Sequence, residues 1–280
     1  MEYKSWRKNK PMPHPDKSYN RPYPATKIFD QLTYIGDEVY CCYILETSAG
    51  LVLIDAMWPG PKYTQMIEQG IREIGHDPSE VIAVLLTHGH PDHIGSPNYW
   101  IDNYGSKIYL SEVDTEFARK FQPQQADPPG VTQLFECKEI NYVSDMEDLT
   151  FGDTTIKIVV TPGHTPGGLS FVIPVTDEGR QHYAALWGGN GVPRRKEALE
   201  QYLKALEHFS EVTDAMNVDV EISNHPFVDM TIQRLEILRN IQDGVAHPFI
   251  IGKEQYRRYE QMYYNKVKEN LKALEEAPKQ

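Results

Sequence analysis

Apolar and polar positions follow two rhythms along this chain. In the first third the apolar runs are short. LTYIGD, VYCCYILET and GLVLIDA are rich in β-branched and aromatic side chains and are separated by turn residues such as Ser48-Ala49-Gly50, so they read as strands. In PKYTQMIEQGIREIG the period lengthens: Tyr63, Met66, Ile67, Ile71 and Ile74 recur three or four apart, which predicts an amphipathic helix. The run VIAVLL holds no polar position and reads as a strand buried on both faces. A helix (SPNYWIDNYG), a strand (KIYL) and a second helix (SEVDTEFARKFQ) are predicted next, and then PQQADPPG, too rich in proline for either element.

The second half repeats this logic without repeating the sequence. YVSDMEDLTFGDTTIKIVVTPG predicts two strands joined at a Phe-Gly-Asp turn, and GLSFVIPV, HYAALWGG and VDVEISNH predict three more. RRKEALEQYLKALEHFSEVT, MTIQRLEILRNIQ and KEQYRRYEQMYYNKVKENLKALEE are helical. Tyr256, Tyr259, Tyr263, Val267 and Leu271 share one face of the last, a stripe read as core contact. Alternating elements in both halves predict an α/β fold, two mixed β-sheets flanked by outer helices. Residues 1–26 read as an extended N-terminal arm, and residues 27–280 as one domain.

The strand VIAVLL ends in LTHGHPDHIG, where His88, His90 and His93 stand beside Asp92. His88 and His90 lie two apart on extended chain and can share a face, while Asp92 and His93 begin the next element. His164 follows IKIVVTPG, and His225 follows VDVEISN. Five histidines and one acid therefore sit at the ends of three apolar strands. Imidazoles with a carboxylate suit zinc. Six ligands exceed one tetrahedral ion and fit two ions about 3.5–4 Å apart.

The spacing His-x-His-x-Asp-His, with two lone histidines downstream, resembles the signature of the metallo-β-lactamase superfamily. TPGHTPGGLSF and ISNHP look most like the third subclass of true metallo-β-lactamases and their relatives, over roughly residues 30 to 230. The resemblance implies a four-layer αββα sandwich with two Zn2+ per chain: His88, His90 and His164 on one ion, Asp92, His93 and His225 on the other. It also implies that Asp55, ending LVLID, supports a ligand from behind; read from the residues alone, Asp55 could instead cap the following helix. Thioesterases, lactonases and phosphodiesterases of this fold usually carry an aspartate that bridges both metals. Here that segment reads ALWGGNGVP, and the nearest residue is Asn190.

The expected function is a zinc hydrolase in which a metal-bound hydroxide, oriented by Asp92, opens a cyclic amide of the β-lactam type. The alternative is the same chemistry on lactones, thioesters or other esters, and a third reading is a non-catalytic zinc scaffold. No Gly-x-Ser-x-Gly elbow supports a serine hydrolase. Trp58, Phe227 and Asn190 are candidate substrate contacts, and residues 122–135 a candidate lid, with the arm carrying Trp6, Tyr19 and Tyr23 another possible cover. With 40 acidic against 28 basic residues, a net charge of −12 argues against nucleic acid as a partner, leaving a small-molecule substrate. No apolar run is long enough for a membrane span. Three cysteines, two of them adjacent on a strand, read as reduced, buried residues. With an N-terminus that does not read as a secretory signal, they place the chain in the cytoplasm, unless a signal was removed before residue 1; β-lactamases meet their drugs outside the cytoplasm, which favours the alternative. The sequence sets no oligomeric state.

Overall fold

The computed structural model describes residues 21–120, 135–242 and 244–276. Its first sheet contains β1 (Pro22–Phe29), β2 (Leu32–Asp37), β3 (Cys41–Thr47), β4 (Gly50–Ile54), β5 (Val81–Leu85), β6 (Lys107–Leu110) and β7 (Asn141–Tyr142), side by side in chain order. Hairpins keep β1 to β4 antiparallel. From β4 onward the strands are parallel, because crossovers through α1 (Pro61–Glu73), α2 (Pro91–Ile94), α3 (Pro97–Tyr104) and α4 (Glu112–Lys120) return the chain to the same end.

The second sheet is ordered β12-β11-β10-β9-β8. It is built from β8 (Asp148–Phe151), β9 (Thr154–Val160), β10 (Leu169–Asp177), β11 (Arg180–Leu186) and β12 (Val220–Ile222). Only β12 runs parallel to its neighbour, after the long crossover α5 (Lys196–Ala215). Then follow α6 (Pro226–Asp229), α7 (Thr231–Arg239) and α8 (Lys253–Glu276).

Strand alternation explains the four layers. In β3, Cys41, Tyr43 and Leu45 enter the core between the sheets, whereas Cys42 and Ile44 face the outer core under α1 and α3. Side chains of successive strand residues point to opposite faces, so a strand covered on both sides must be apolar throughout. From Ala83 onward β5 behaves in the same way, with Ala83 and Leu85 inward and Val84 outward; a register shift before Ala83 leaves Val81 outward as well. On the other outer face, Leu199, Tyr202, Leu206 and Phe209 of α5 pack with Tyr256 and Val267 of α8. Tyr259, Tyr263 and Leu271 complete that contact, as the helical stripe predicts. Burying one such large apolar side chain contributes about 1.5–3 kcal/mol.

The first strand begins at Pro22, inside the stretch read as a coil-like arm. Two prolines in PYPATKIF obscure it, yet β1 lies at the sheet edge, where a missing N–H breaks no ladder. Residues 1–20, with Trp6 and Tyr19, lie outside the described residues. So does most of the lid candidate, residues 122–134; Phe135 is buried in the outer core beneath α1 and α3. Cys41 and Cys42 are buried on opposite faces, while Cys137 is only half-buried. Among the described residues, no helix is long and apolar enough to cross a membrane.

Candidate metal centre

The loops carrying the six candidate ligands converge at one edge of the two sheets. Beyond β5, the Thr87 carbonyl accepts from the Leu169 N–H of the second sheet at 2.7 Å, and His88 emerges where the chain touches both sheets. His90 caps the single turn α2, with Pro91 at its first position. That turn swings Asp92 and His93 back toward His88. Gly95 ends it with φ +54°, and a Cβ there would lie 2.4 Å from the Ala56 carbonyl oxygen, so the turn packs against the end of β4 as only glycine allows. His164 lies in the loop 161–168 between β9 and β10, and His225 precedes α6.

Two triads result. His88, His90 and His164 each offer a ligand atom within 4.8 Å of the others, and so do Asp92, His93 and His225. Within the first, His90 Nδ1 is 3.0 Å from His164 Nε2; within the second, His93 Nε2 is 3.2 Å from His225 Nε2. The far nitrogens have acceptors. His164 Nδ1 meets the Gly191 carbonyl at 2.7 Å, His225 Nδ1 the Val39 carbonyl at 3.1 Å, and His93 Nδ1 the Asp55 carboxylate at 2.8 Å. A proton on each Nδ1 leaves Nε2 as a bare lone pair facing the cleft. Lone pairs 3.2 Å apart at His93 and His225 need a positive charge between them, a proton or a metal cation. His88 Nε2 is buried without any hydrogen-bond partner, an orphan that a metal ion would satisfy. The donor set and its tautomers fit zinc.

The electrostatics agree with that fit. Burial lowers the pKa of His88 well below the ordinary imidazole value, with the neighbouring histidines adding to it. It takes His90 down to about 3 and His225 to about 4, and lowers His164 as well. Burial also works against charge on His93, but the Asp92 and Asp55 carboxylates outweigh it and raise that pKa. Asp92 is lowered: burial alone would raise it, and His93, His225 and His90 reverse the sign. Neutral imidazoles and an ionised carboxylate are the forms that bind metal; His88, His90, His164, His225 and Asp92 are shifted toward them, and His93 would give up its proton to a cation held beside Asp92 and Asp55.

Behind the triads lies a buried polar network. Asp55 does not cap α1, whose N-cap is Gly60. At the end of β4 it takes φ +59°, a left-handed conformation tolerated better by aspartate than by most side chains. Its carboxylate accepts from the Thr87 N–H at 2.7 Å and the Thr87 hydroxyl at 2.9 Å, besides His93. Thr87 Oγ1 is also 3.0 Å from His88 Nδ1. Asp114 of α4, fully buried, accepts from the Gly89 N–H, the Gly167 N–H and the Thr165 hydroxyl at 2.6–2.8 Å. It thereby ties the His88–His90 loop to the His164 loop.

The candidate substrate residues are placed unequally. Phe227 is half-buried beside His225, ring centroids 5.3 Å apart. Trp58 is nearly buried and reaches the triads through Tyr40, which packs edge-on against both Trp58 and His225. Asn190 turns its amide inward: Nδ2 donates to Asn224 Oδ1 at 2.7 Å and to Ser223 Oγ at 3.2 Å, while Oδ1 accepts from the Tyr263 hydroxyl. Sequence reasoning missed Thr87, Asp114, Asn224 and Tyr40. Only Asp114 left a signal, an acid on the same helical face as Ala118, and an acid in a first turn is ordinary.

The family model of the metallo-beta-lactamase superfamily matches residues 36–177. That is just over half of the chain, and the chain belongs to this superfamily. It is 24% identical over 133 residues to the "Probable polyketide biosynthesis zinc-dependent hydrolase PksB" of Bacillus subtilis (strain 168), covering 47% of this chain and 49% of that protein. To the "N-acyl homoserine lactonase AttM" of Agrobacterium fabrum it is 28% identical over 131 residues, covering 43% and 46%. The chain thus spans about half the length of the curated relatives it matches. Among solved structures, BJP-1, a subclass B3 metallo-beta-lactamase of Bradyrhizobium japonicum, superposes with a TM-score of 0.72 at 24% identity, covering 92% of this chain and 98% of that one. This likeness shows the αββα fold.

Proposed function

We propose that the chain is a dinuclear zinc hydrolase that opens a strained cyclic amide of the β-lactam type in a small-molecule substrate. His88, His90 and His164 would hold one ion, and Asp92, His93 and His225 the other. The observation that carries the reading is the pair of triads whose nitrogens face one another as lone pairs, with His88 Nε2 buried and unpartnered. Bound zinc supplies a Lewis acid for the carbonyl oxygen and lowers the pKa of bound water from about 15.7 toward 7.

The chain's own residues supply placement and proton handling. Asp92 Oδ2 lies 3.6 Å from His93 Nε2 and 3.8 Å from His225 Nε2. Held below the ordinary carboxylate value by those histidines, it is ionised at neutral pH and can accept a hydrogen bond from the attacking water and orient it. Asp55, Thr87 and the carbonyls of Gly191 and Val39 fix the imidazole rings. Tyr40 and Phe227, backed by Trp58, give the cleft an apolar wall. The resemblance leaves Asn190, a neutral amide, as the nearest residue to the position where other branches of the superfamily usually carry a bridging acid, and that supports the cyclic-amide reading.

A second reading, hydrolysis of a lactone or thioester by the same residues, is favoured on the lactone side by the name of one relative, an N-acyl homoserine lactonase. The zinc-loaded protein should be assayed on a penicillin, a carbapenem, several lactones and an acyl thioester, before and after chelation. Zinc-dependent β-lactam turnover near or above about 10⁴ M⁻¹s⁻¹ supports the first reading. Lactone or thioester turnover with only trace β-lactam activity moves the chain to the second, and stoichiometric zinc without hydrolysis rejects both.

A further inference from the structure

Asn224, one residue before His225, is 1% exposed. Its Nδ2 donates to the Gly188 carbonyl at 3.0 Å, to Asp55 Oδ2 at 3.1 Å and to Thr87 Oγ1 at 3.2 Å. Its Oδ1 accepts from Asn190 Nδ2 at 2.7 Å. The orientation of the amide is fixed by chemistry, since the Asp55 carboxylate and the Gly188 carbonyl can only accept. One side chain therefore uses both ends, between strands of both sheets. Asp55 holds His93 of one triad, and Thr87 contacts His88 of the other. Asn224 lies behind their shared support, and its side-chain hydrogen bonds go to Asp55, Thr87, Gly188 and Asn190 rather than to a candidate ligand.

We infer that Asn224 is a positioning residue that sets the supports of both triads at once, so that metal binding at the two is coupled through a single buried amide. The inference rests on the zinc reading of the triads. The polar chain extends outward: Asn190, which anchors Asn224, is itself held by Tyr263 of α8. The last helix is thereby wired to the metal edge although it packs on the outer face of the second sheet. Partners behind metal-bound histidines typically change metal affinity 10–100-fold when removed.

The test compares wild type with Asn224→Ala and Asn190→Ala. Zinc stoichiometry and both dissociation constants are read by competition with a chromophoric chelator. The visible spectrum of the cobalt-substituted protein and the melting temperature of the metal-free protein are recorded beside them. In Asn224→Ala both zinc constants should weaken about 10–100-fold, with a changed cobalt spectrum. In Asn190→Ala, which leaves the Asn224 amide but loosens it, both should weaken about three- to tenfold. The second variant decides if the first does not fold. A purely structural role would lower the melting temperature and leave both constants within about twofold of wild type; that result, or weakening at one triad only, overturns the inference. Wild type that takes up no zinc overturns the proposed function as well, whereas wild type with two zinc ions and unaffected variants sinks this inference alone.

Discussion

At the cleft edge, Asp55 accepts from a backbone N–H, a hydroxyl, an imidazole and an amide belonging to three other segments of the chain. Asp114 likewise joins the loops of Gly89 and Gly167. On the outer face of the second sheet, Glu260 of α8 accepts from the Thr213 and Ser210 hydroxyls, both on α5. Burial raises the pKa of Asp114, and takes that of Glu260 to about 7. The acids at the cleft are clamps between distant segments, and their desolvation is offset by several directed donors. Glu260 joins two helices that already share an apolar contact, with no cation among its hydrogen-bond partners. A buried acid can thus clamp distant segments or bridge elements already in contact, and its partners tell the two apart.

Substitutions can break this comparison at three strengths. Asp92→Asn keeps the shape of the side chain and removes its charge, and with it both a proposed metal ligand and the acceptor that orients water. It should lower kcat/KM on the order of 10²–10⁴-fold on whichever substrate the panel identifies, while Glu260→Gln leaves turnover unchanged. Equal losses in both variants would erase the distinction. Asp114→Ala leaves the Gly89 and Gly167 N–H groups without their acceptor, and should cost about 2–4 kcal/mol in urea unfolding. A loss under about 0.5 kcal/mol would mean that the two loops hold themselves.

The smallest effect is a pH dependence. Glu260 carries its proton up to about pH 7 in the folded chain, whereas an unfolded glutamate loses it near 4.3. Between these values the folded state binds the extra proton, so this group's contribution to stability falls as pH rises and is fully lost above about 7. Glu260→Gln removes the dependence. The stability of the variant relative to wild type should grow by about 1–3 kcal/mol between pH 4.5 and pH 8, read from paired thermal melts. A gap that stays constant with pH would show that Glu260 does not titrate in this range.

The sequence was legible where a pattern had one physical cause. Apolar runs such as VIAVLL are strands because both faces are covered, and the grouping of five histidines and Asp92 follows from where those strands end. β1 was hidden because its prolines forbid a central strand and say nothing against an edge. Asn224 and Thr87 were hidden for a different reason: a buried asparagine or threonine looks like any loop residue until its partners, up to 169 positions away in the case of Asn224 and Asp55, are brought beside it. Asn190 was legible as a position, whereas its amide partners Ser223, Asn224 and Tyr263 were not, because a turn between glycines does not reveal them.

Each triad draws on both halves of the chain: His88 and His90 need His164, and Asp92 and His93 need His225. Neither site can exist in a nascent chain that has built only the first sheet. Both complete triads therefore require the two sheets to have docked, even though four of the six donors lie within one short stretch of chain. A chain released before β12 has joined β11 would be only half equipped: the second triad would lack His225, whatever the zinc supply.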